Sequence, residues 1–439
     1  IRGLGIAYGL NFIPGPWIES INLNKGAGSV SNGYESITGQ IDVELKKPET
    51  SEKLFINLYG NSEARLEANI HSAQKVNSKW ANMFLPHGSM MQNELDHNHD
   101  HFMDMPLSKT VALMDRWKYE SGKRVESMFG FKYLRDERTG GSIDFNPETD
   151  KLTTNAYGLG VTTNRAELFA KTSYGFIGKE YQSLGLQLSG VYHDQEAYYG
   201  LRIYEGTEQS FYANLIFLSI IGNTQHKYKA GISYLYDQYD EQFDTLIVNR
   251  KESVPGAFFE YTYDDLKKLS LVAGIRADVY DGEKVMISPR FHAKYKISPM
   301  ATLRASVGNG FRTANIFAEN AAYLASSRAW IINGVLLPER AWNYGLNFTQ
   351  QFFAGAREGT FTLDLYRTDF TNQVIVDADA DPTKLFFYNL TGKSYSNSAQ
   401  AEVNYEWFKG FNTRLAYKLY DVKQTYSDEL LRVPLVPKQ

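Results

Sequence analysis

The feature that most constrains this chain is a two-residue alternation of apolar and polar side chains, which recurs in separate segments from Lys53 onward. Clear examples lie between Leu184 and His193, Lys227 and Asp237, Leu269 and Tyr280, and Arg290 and Ile297. Because successive side chains of a β-strand point to opposite faces, this period predicts strands. We count roughly sixteen such segments between Lys53 and Val422.

The length of these segments separates a membrane barrel from a soluble β-protein. Each runs for about ten residues, which is the length that a tilted strand needs to cross the hydrocarbon layer. A soluble sandwich or a lectin-like protein would use strands of about five to six residues. The 30 Tyr and 26 Phe also suit strands. We therefore expect a mostly β fold built on a transmembrane antiparallel β-barrel, although the pattern does not show which face is lumenal.

Composition excludes several functional classes. The net charge of −4 gives none of the basic surface that a nucleic-acid-binding protein needs. The absence of cysteine excludes disulfides, thiolate metal sites and cysteine nucleophiles. The sequence contains no Ser/His/Asp or paired-carboxylate arrangement specific enough to indicate catalysis, so we expect a protein that is not an enzyme.

The first fifty residues differ from the rest. Ile18, Ile21 and Leu23 precede a glycine turn and predict a short strand, and the run from Gly39 to Pro48 predicts another. We interpret residues 1–50 as a small α+β domain that is incomplete at its start. Residues 51–439 then form the barrel, and we expect it to be incomplete at its C-terminus because the last residues, "VPLVPKQ", have the character of a loop.

Two sets of residues resemble one protein family, the TonB-dependent outer-membrane receptors, whose members combine a plug domain with a 22-stranded barrel. The first set resembles the signature that ends the plug: Ile18, Glu19, Ile21, Lys25, Gly26, Ser29, Gly33 and Gly39. The chain departs from it with "NGYESITGQIDV" where many members have a "YGSGAIGGVINI"-type run. The second set resembles an S-P-R strand followed by an R-x-S-x-G-x-G-F-R loop: Pro289, Arg290, Arg304, Gly310, Phe311 and Arg312.

The resemblance implies active import across the bacterial outer membrane, with outer-membrane lipid around the barrel and residues 1–50 as the C-terminal half of the plug. The TonB complex would act through a segment upstream of this chain. We expect the cargo to be a metal ion or a siderophore-like metal chelate. The alternative is an organic nutrient such as a glycan or a peptide. A passive porin is less consistent with the sequence, because an open pore has no use for a plug.

One segment, from Asn93 to Leu107, has the ligand spacing of a calcium loop. Its oxygen donors fall at positions 1, 3, 5, 7 and 9, the seventh through a backbone carbonyl: Asp96, Asn98, Asp100, Phe102 and Asp104. His101 replaces the usual glycine at position 6, and Leu107 replaces the usual glutamate at position 12. We expect a structural Ca²⁺ site that orders an extracellular loop.

The same segment allows two other interpretations. His97, His99 and His101 would share one face of an extended strand and bind Cu²⁺ or Zn²⁺, or the segment is a solvated loop that binds no metal. Among the other candidates, we expect Arg304 and Arg312 to pair with lumenal carboxylates such as Asp278 or Glu319. Lys25 and Glu19 are expected to contribute to plug folding or to contact between plug and barrel.

Overall fold

The computed structural model describes residues 2–122, 124–282 and 284–439, and its N-terminal segment, residues 2–50, carries its own small sheet. Strands β1 (Ile18–Lys25) and β2 (Gly39–Leu45) pair antiparallel, as predicted from the sequence. The helical part of residues 2–50 consists of 3₁₀ turns, such as Gly3–Ala7 and Val30–Asn32. The described residues of this segment thus have 3₁₀ turns where the expectation of an α+β domain implied α-helix, because closely spaced glycine and proline residues disfavour α-helix there. The assignment of residues 1–50 to an α+β plug domain stays a prediction.

Within the residues that the structure describes, eighteen strands follow one another around a closed antiparallel barrel. They are β3 (Leu54–Gly60), β4 (Arg65–Lys75), β5 (Trp80–Met91), β6 (Leu107–Glu120), β7 (Val125–Gly141), β8 (Gly158–Gly175), β9 (Ser183–Tyr199), β10 (Arg202–Ile221), β11 (Asn223–Phe243), β12 (Leu246–Asp264), β13 (Leu269–Tyr280), β14 (Lys284–Ser298), β15 (Ala301–Arg312), β17 (Glu339–Ala354), β18 (Arg357–Asn372), β21 (Ser394–Phe408), β22 (Phe411–Tyr426) and β23 (Glu429–Arg432). Short elements in two connections complete the fold: α1 (Ile316–Glu319), α2 (Ala321–Leu324), β16 (Ala329–Ile332), β19 (Val374–Asp377) and β20 (Lys384–Asn389).

The two ends of the barrel differ in the length of their connections. The turns at one end, such as 222, 299–300 and 355–356, are short, whereas the other end carries the long connections 313–338 and 373–393. Transmembrane barrels have short periplasmic turns and long extracellular loops, so the long connections mark the extracellular end. No helix in the described part of the chain is long and apolar enough to cross a membrane.

The structure decides which face of each strand is lumenal. On β13, Arg276 and Asp278 are 1% and 0% exposed, whereas Ile275, on the opposite face of the strand, is 52% exposed. On β14, Arg290 is buried and Phe291 is exposed in the same way. Polar side chains therefore line the lumen and apolar ones face outward, which is the arrangement of a barrel in lipid.

Strand number and length differ from the sequence-based expectation. The barrel has eighteen strands rather than roughly sixteen, and several are much longer than ten residues, up to the 21 residues of β11. A strand of this length exceeds what the hydrocarbon layer requires, so its extracellular part stands above the membrane. There the outward face becomes polar, as with Asp194 and Gln238, and the apolar alternation no longer shows where the strand ends.

Candidate functional site

The N-terminal segment lies inside the barrel. Its backbone or side chains bond to barrel residues on six strands spread around the ring: Arg116 on β6, Asn214 on β10, Glu260 on β12, Arg276 on β13, Arg290 on β14 and Asp364 on β18. In the strand order of the closed barrel, β6 and β14 lie nearly opposite each other. A segment that reaches opposite walls of a closed barrel occupies its lumen.

Two buried arginines hold the turn that follows β1. Arg290 donates to the backbone carbonyls of Gly28, Ser29 and Tyr34 at 3.2, 3.0 and 2.9 Å. Arg276 donates to the Val30 carbonyl at 3.4 Å and to the carboxylate of Asp278 at 2.8 and 2.5 Å. Hydrogen bonds donated by a charged group are stronger than those between neutral groups. A buried guanidinium is costly unless its N–H groups have acceptors, which these carbonyl and carboxylate oxygens provide. These contacts fix the turn against the barrel wall.

The residues of the N-terminal signature build this turn. Lys25 ends β1 and forms an ion pair with Asp364. Gly26 and Gly33 have φ angles of +83° and +98°, which glycine adopts most readily. Ser29 accepts a hydrogen bond from the Ser31 N–H at 3.2 Å and donates to Glu260 at 2.5 Å.

The other signature residues lie in the two strands. Ile18, Glu19 and Ile21 lie on β1, and Gly39 begins β2. The predicted role of Lys25 in contact with the barrel is confirmed. Glu19 is exposed and has no hydrogen-bond or ion-pair partner among the described residues, so its expected contribution to folding or barrel contact stays a prediction.

The glycines of the barrel signature allow the segment to approach the wall closely. A Cβ atom at Gly308 would lie 2.4 Å from the Cβ of Ala27, and one at Gly310 would lie 2.6 Å from the Tyr34 carbonyl oxygen. The next residue, Phe311, stacks on the Tyr34 ring with centroids 4.2 Å apart. Burial raises the pKa of the Tyr34 hydroxyl well above its usual range, so this hydroxyl stays neutral.

A cap of extracellular elements contacts the N-terminal end of the segment. Helix α1 packs against the 3₁₀ turn Gly3–Ala7. Arg312, where β15 ends, holds α1 through Glu319 at 3.0 and 2.7 Å and also pairs with Glu339 at 2.7 Å. The cap has an apolar core in which Tyr8 of the segment participates: Val161, Ala197, Tyr199, Tyr204, Phe243, Ile316, Phe317, Leu324, Trp330, Val374, Leu385 and Phe387.

The expectations for the two signature arginines had different outcomes. The pairing of Arg312 with Glu319 is confirmed. The expected pairing of Arg304 with a lumenal carboxylate such as Asp278 was wrong, because Asp278 pairs with Arg276 on the same strand and Arg304 donates instead to Asn347 at 3.0 Å. Sequence reasoning also missed Arg276 and Asn214 as contacts of the segment. In the sequence, the feature that could have indicated these two contacts is a polar side chain on the face of a strand that proves to be lumenal. Many other residues have the same feature, so it does not single out Arg276 and Asn214.

The Asn93–Leu107 segment forms a compact loop on the extracellular side. The Asp96 carboxylate accepts hydrogen bonds from the N–H groups of Asp100 and His101, both at 3.1 Å. Asp100 accepts from the Phe102 N–H at 2.8 Å, and Asp104 accepts from the His97 N–H at 2.8 Å. These bonds draw the predicted calcium ligands into one turn.

The same loop does not have the extended backbone that the histidine alternative requires, because His99 and His101 have φ angles of +59° and +65°. Within the described ranges, no group of three or more His, Cys, Asp or Glu side chains is placed to hold a metal ion. Both metal assignments therefore stay predictions.

The lumenal polar face, the outward apolar face and the long extracellular loops define a bacterial outer-membrane β-barrel whose lumen holds its own N-terminal segment. A family described as "TonB dependent receptor-like, beta-barrel" matches residues 99–439, and the chain belongs to this family. Its members are outer-membrane transport and receptor proteins. No curated protein matches the sequence.

Several solved structures share the fold at low sequence identity. The complex of FpvAI with pyocin S2 superposes with a TM-score of 0.70 at 14% identity over 95% of this chain and 63% of that one. The ferripyoverdine receptor of Pseudomonas aeruginosa gives 0.69 at 14% identity over 94% and 61%. The alcaligin receptor FauA of Bordetella pertussis gives 0.64 at 14% identity over 93% and 68%. The chain thus spans less than two thirds of the first two structures.

Proposed function

We propose that this protein takes part in TonB-dependent active import across the outer membrane, and that its cargo is a metal chelate of the siderophore type. The observation that carries the proposal is the seating of the Gly26–Tyr34 turn in the lumen. Arg290 alone makes four hydrogen bonds to backbone carbonyls, three of them to this turn. A lumen obstructed in this way favours an energised importer over a passive porin.

The strength of these contacts explains why energy would be needed. A hydrogen bond to a charged group contributes about 1.5–3 kcal/mol. Displacing the turn would deprive the buried Arg290 guanidinium of three of its four carbonyl acceptors and Arg276 of the Val30 carbonyl, which adds a desolvation cost. Spontaneous opening would therefore be rare, and work supplied by the TonB complex through another part of the polypeptide would open the path.

The cargo assignment rests on the similar structures and on the extracellular cap. Two of those structures are named as receptors of ferripyoverdine and alcaligin, respectively. The extracellular cap joins α1 to the N-terminal end of the lumenal segment, so cargo bound there would touch both the loops and the segment. Import of an organic nutrient such as a glycan or a peptide is the alternative.

The test is uptake in cells that carry the full-length gene. Iron-limited cultures would be supplied with a panel of ⁵⁵Fe chelates, with and without the gene and with and without an intact TonB system. We expect accumulation of at least one chelate to require both. If the gene is needed only for growth on glycans or peptides, the cargo assignment is wrong. If uptake does not depend on TonB, the mechanism is wrong.

A further inference from the structure

A second part of the lumen differs from the capped extracellular side in its charge. Between the turn that follows β1 and the wall formed by β13 to β18 lies a cavity of about 610 Å³. It lies toward the periplasmic end, since Ser270 and Lys294 on its wall are close to the short turns 265–268 and 299–300. Ser270, Ser306 and Gly345, which have small side chains or none and lie on the lumenal face of that wall, leave this space open.

The cavity continues to the periplasmic rim. A smaller cavity of about 190 Å³ shares Ser270 and Lys294 with the first and reaches the turn at Lys267 and Lys268. Both therefore lie along one route between the lumenal segment and the end of the barrel.

The lining of this route is strongly basic. Its cationic side chains are Lys25, Lys267, Lys268, Lys294, Lys296 and Arg304. Among the described residues, only two carboxylates line the route, those of Asp264 and Asp364, and the latter is already paired with Lys25. The route thus carries an excess of four positive charges in a chain whose net charge is −4.

Charge of one sign on the walls of a narrow cleft raises the local concentration of the opposite ion, because low-dielectric walls focus the field. Lys294, Lys296 and Arg304 are exposed to the lumen, and none of them forms an ion pair with a described residue. Within the described residues, their positive charge is therefore not neutralised by a carboxylate. By contrast, the cavity on the opposite side of the segment, which includes Lys132 and Arg165, balances its cations with Glu167 and Glu208.

We propose that this route binds anions, and that the cargo that leaves the barrel through it is an anionic chelate carrying carboxylate or catecholate groups. The assignment of an exit route rests on the proposed import function, whereas anion binding by the cavity does not. Lys294, Lys296 and Arg304 supply the attraction, and their order along the wall leads from the lumenal turn to the periplasmic rim.

The first experiment measures binding of pyranine, a trisulfonated fluorescent dye, to the full-length protein in detergent. We expect Lys294→Gln/Lys296→Gln/Arg304→Gln to raise the Kd at least tenfold. The matched control is Lys75→Gln/Lys79→Gln/Lys179→Gln, which removes three charges at the periplasmic end, outside the two cavities, and should change the Kd less than twofold. Equal binding by both variants would overturn the proposal.

The second experiment compares uptake of ⁵⁵Fe-citrate, which is anionic, with that of ⁵⁵Fe-desferrioxamine, which is not. The route variant should lower uptake of the anionic chelate several-fold relative to the other, and an equal effect on both would overturn the exit route. If the wild type binds pyranine but imports no chelate in a TonB-dependent manner, the proposed import function fails while the anion site stands.

Discussion

The guanidinium of Arg290 on β14 donates to the backbone carbonyl of Tyr34 at 2.9 Å, across 256 residues of sequence. The same arginine belongs to the S-P-R motif of the barrel, and Tyr34 lies just after the glycine turn of the N-terminal signature. The two signatures are therefore two sides of one contact. The contact brings together two motifs that lie far apart in the sequence.

Arg290→Ala should loosen the lumenal segment without opening the barrel sheet. The variant loses charge-assisted hydrogen bonds to the carbonyls of Gly28, Ser29 and Tyr34, at about 1.5–3 kcal/mol each before any relaxation. We expect greater sensitivity of the cells to large antibiotics such as vancomycin, with unchanged heat-modifiable migration of the barrel. Arg304→Ala is the control, since Arg304 makes one bond, to Asn347. Equal sensitivity in both variants would contradict the clamp.

Gly308→Ala should disturb the seating of the same segment by crowding. The added methyl group would lie 2.4 Å from the Cβ of Ala27, and forced overpacking typically costs about 1–3 kcal/mol. We expect faster cleavage of the N-terminal segment in limited proteolysis of the purified protein. Gly88→Ala on β5 meets open space and should leave the cleavage rate unchanged. Identical rates for the two variants would mean that the segment does not depend on this close approach.

Arg312→Gln should release the extracellular cap. The substitution removes the charge that holds Glu319 of α1 and the neighbouring Glu339. We expect the connection 313–338 to be cut several-fold faster by an added protease in whole cells. Arg357→Gln breaks a single ion pair with Glu406 at the other end of the barrel, and exposed pairs contribute only about 0–1 kcal/mol. A cap that resists cleavage after Arg312→Gln would show that its apolar core suffices.

Metal content tests the Asn93–Leu107 loop. We expect the purified full-length protein to retain stoichiometric Ca²⁺ after washing and to lose it in Asp96→Ala, because Asp96 is the first ligand and also organises the backbone of the turn. Asp150→Ala, in the neighbouring loop, is the matched control; the Asn146 backbone N–H lowers the pKa of Asp150 and so keeps it ionised. Copper or zinc that disappears when His97, His99 and His101 are replaced would favour the alternative. Protein without metal would contradict both assignments.

The sequence by itself determined the strand class and the order of the motifs. Two-residue alternation depends only on the chain and its immediate neighbours, so segments such as Leu269–Tyr280 were located correctly, with the bounds that β13 has in the structure. The strands at the N-terminus, β1 and β2, were predicted from local signals of another kind: apolar residues next to a glycine turn, and a run that stops at Pro48. The role of Lys25 in contact between segment and barrel followed from the family resemblance.

Only the tertiary structure decided which face of the strands is lumenal and which residues touch the segment. Alternation divides the side chains of a strand between two faces but does not say which face is inside. Closure of the barrel around residues 2–50 places Arg276 inside and Ile275 outside. The partners of Arg304 and Asp278 could not be predicted from the sequence for the same reason. Strand register places Asn347 opposite Arg304, and Asp278 pairs with the nearer Arg276. The fold of the Asp96–Asp104 loop likewise depended on left-handed backbone at His99 and His101, which residue spacing does not encode.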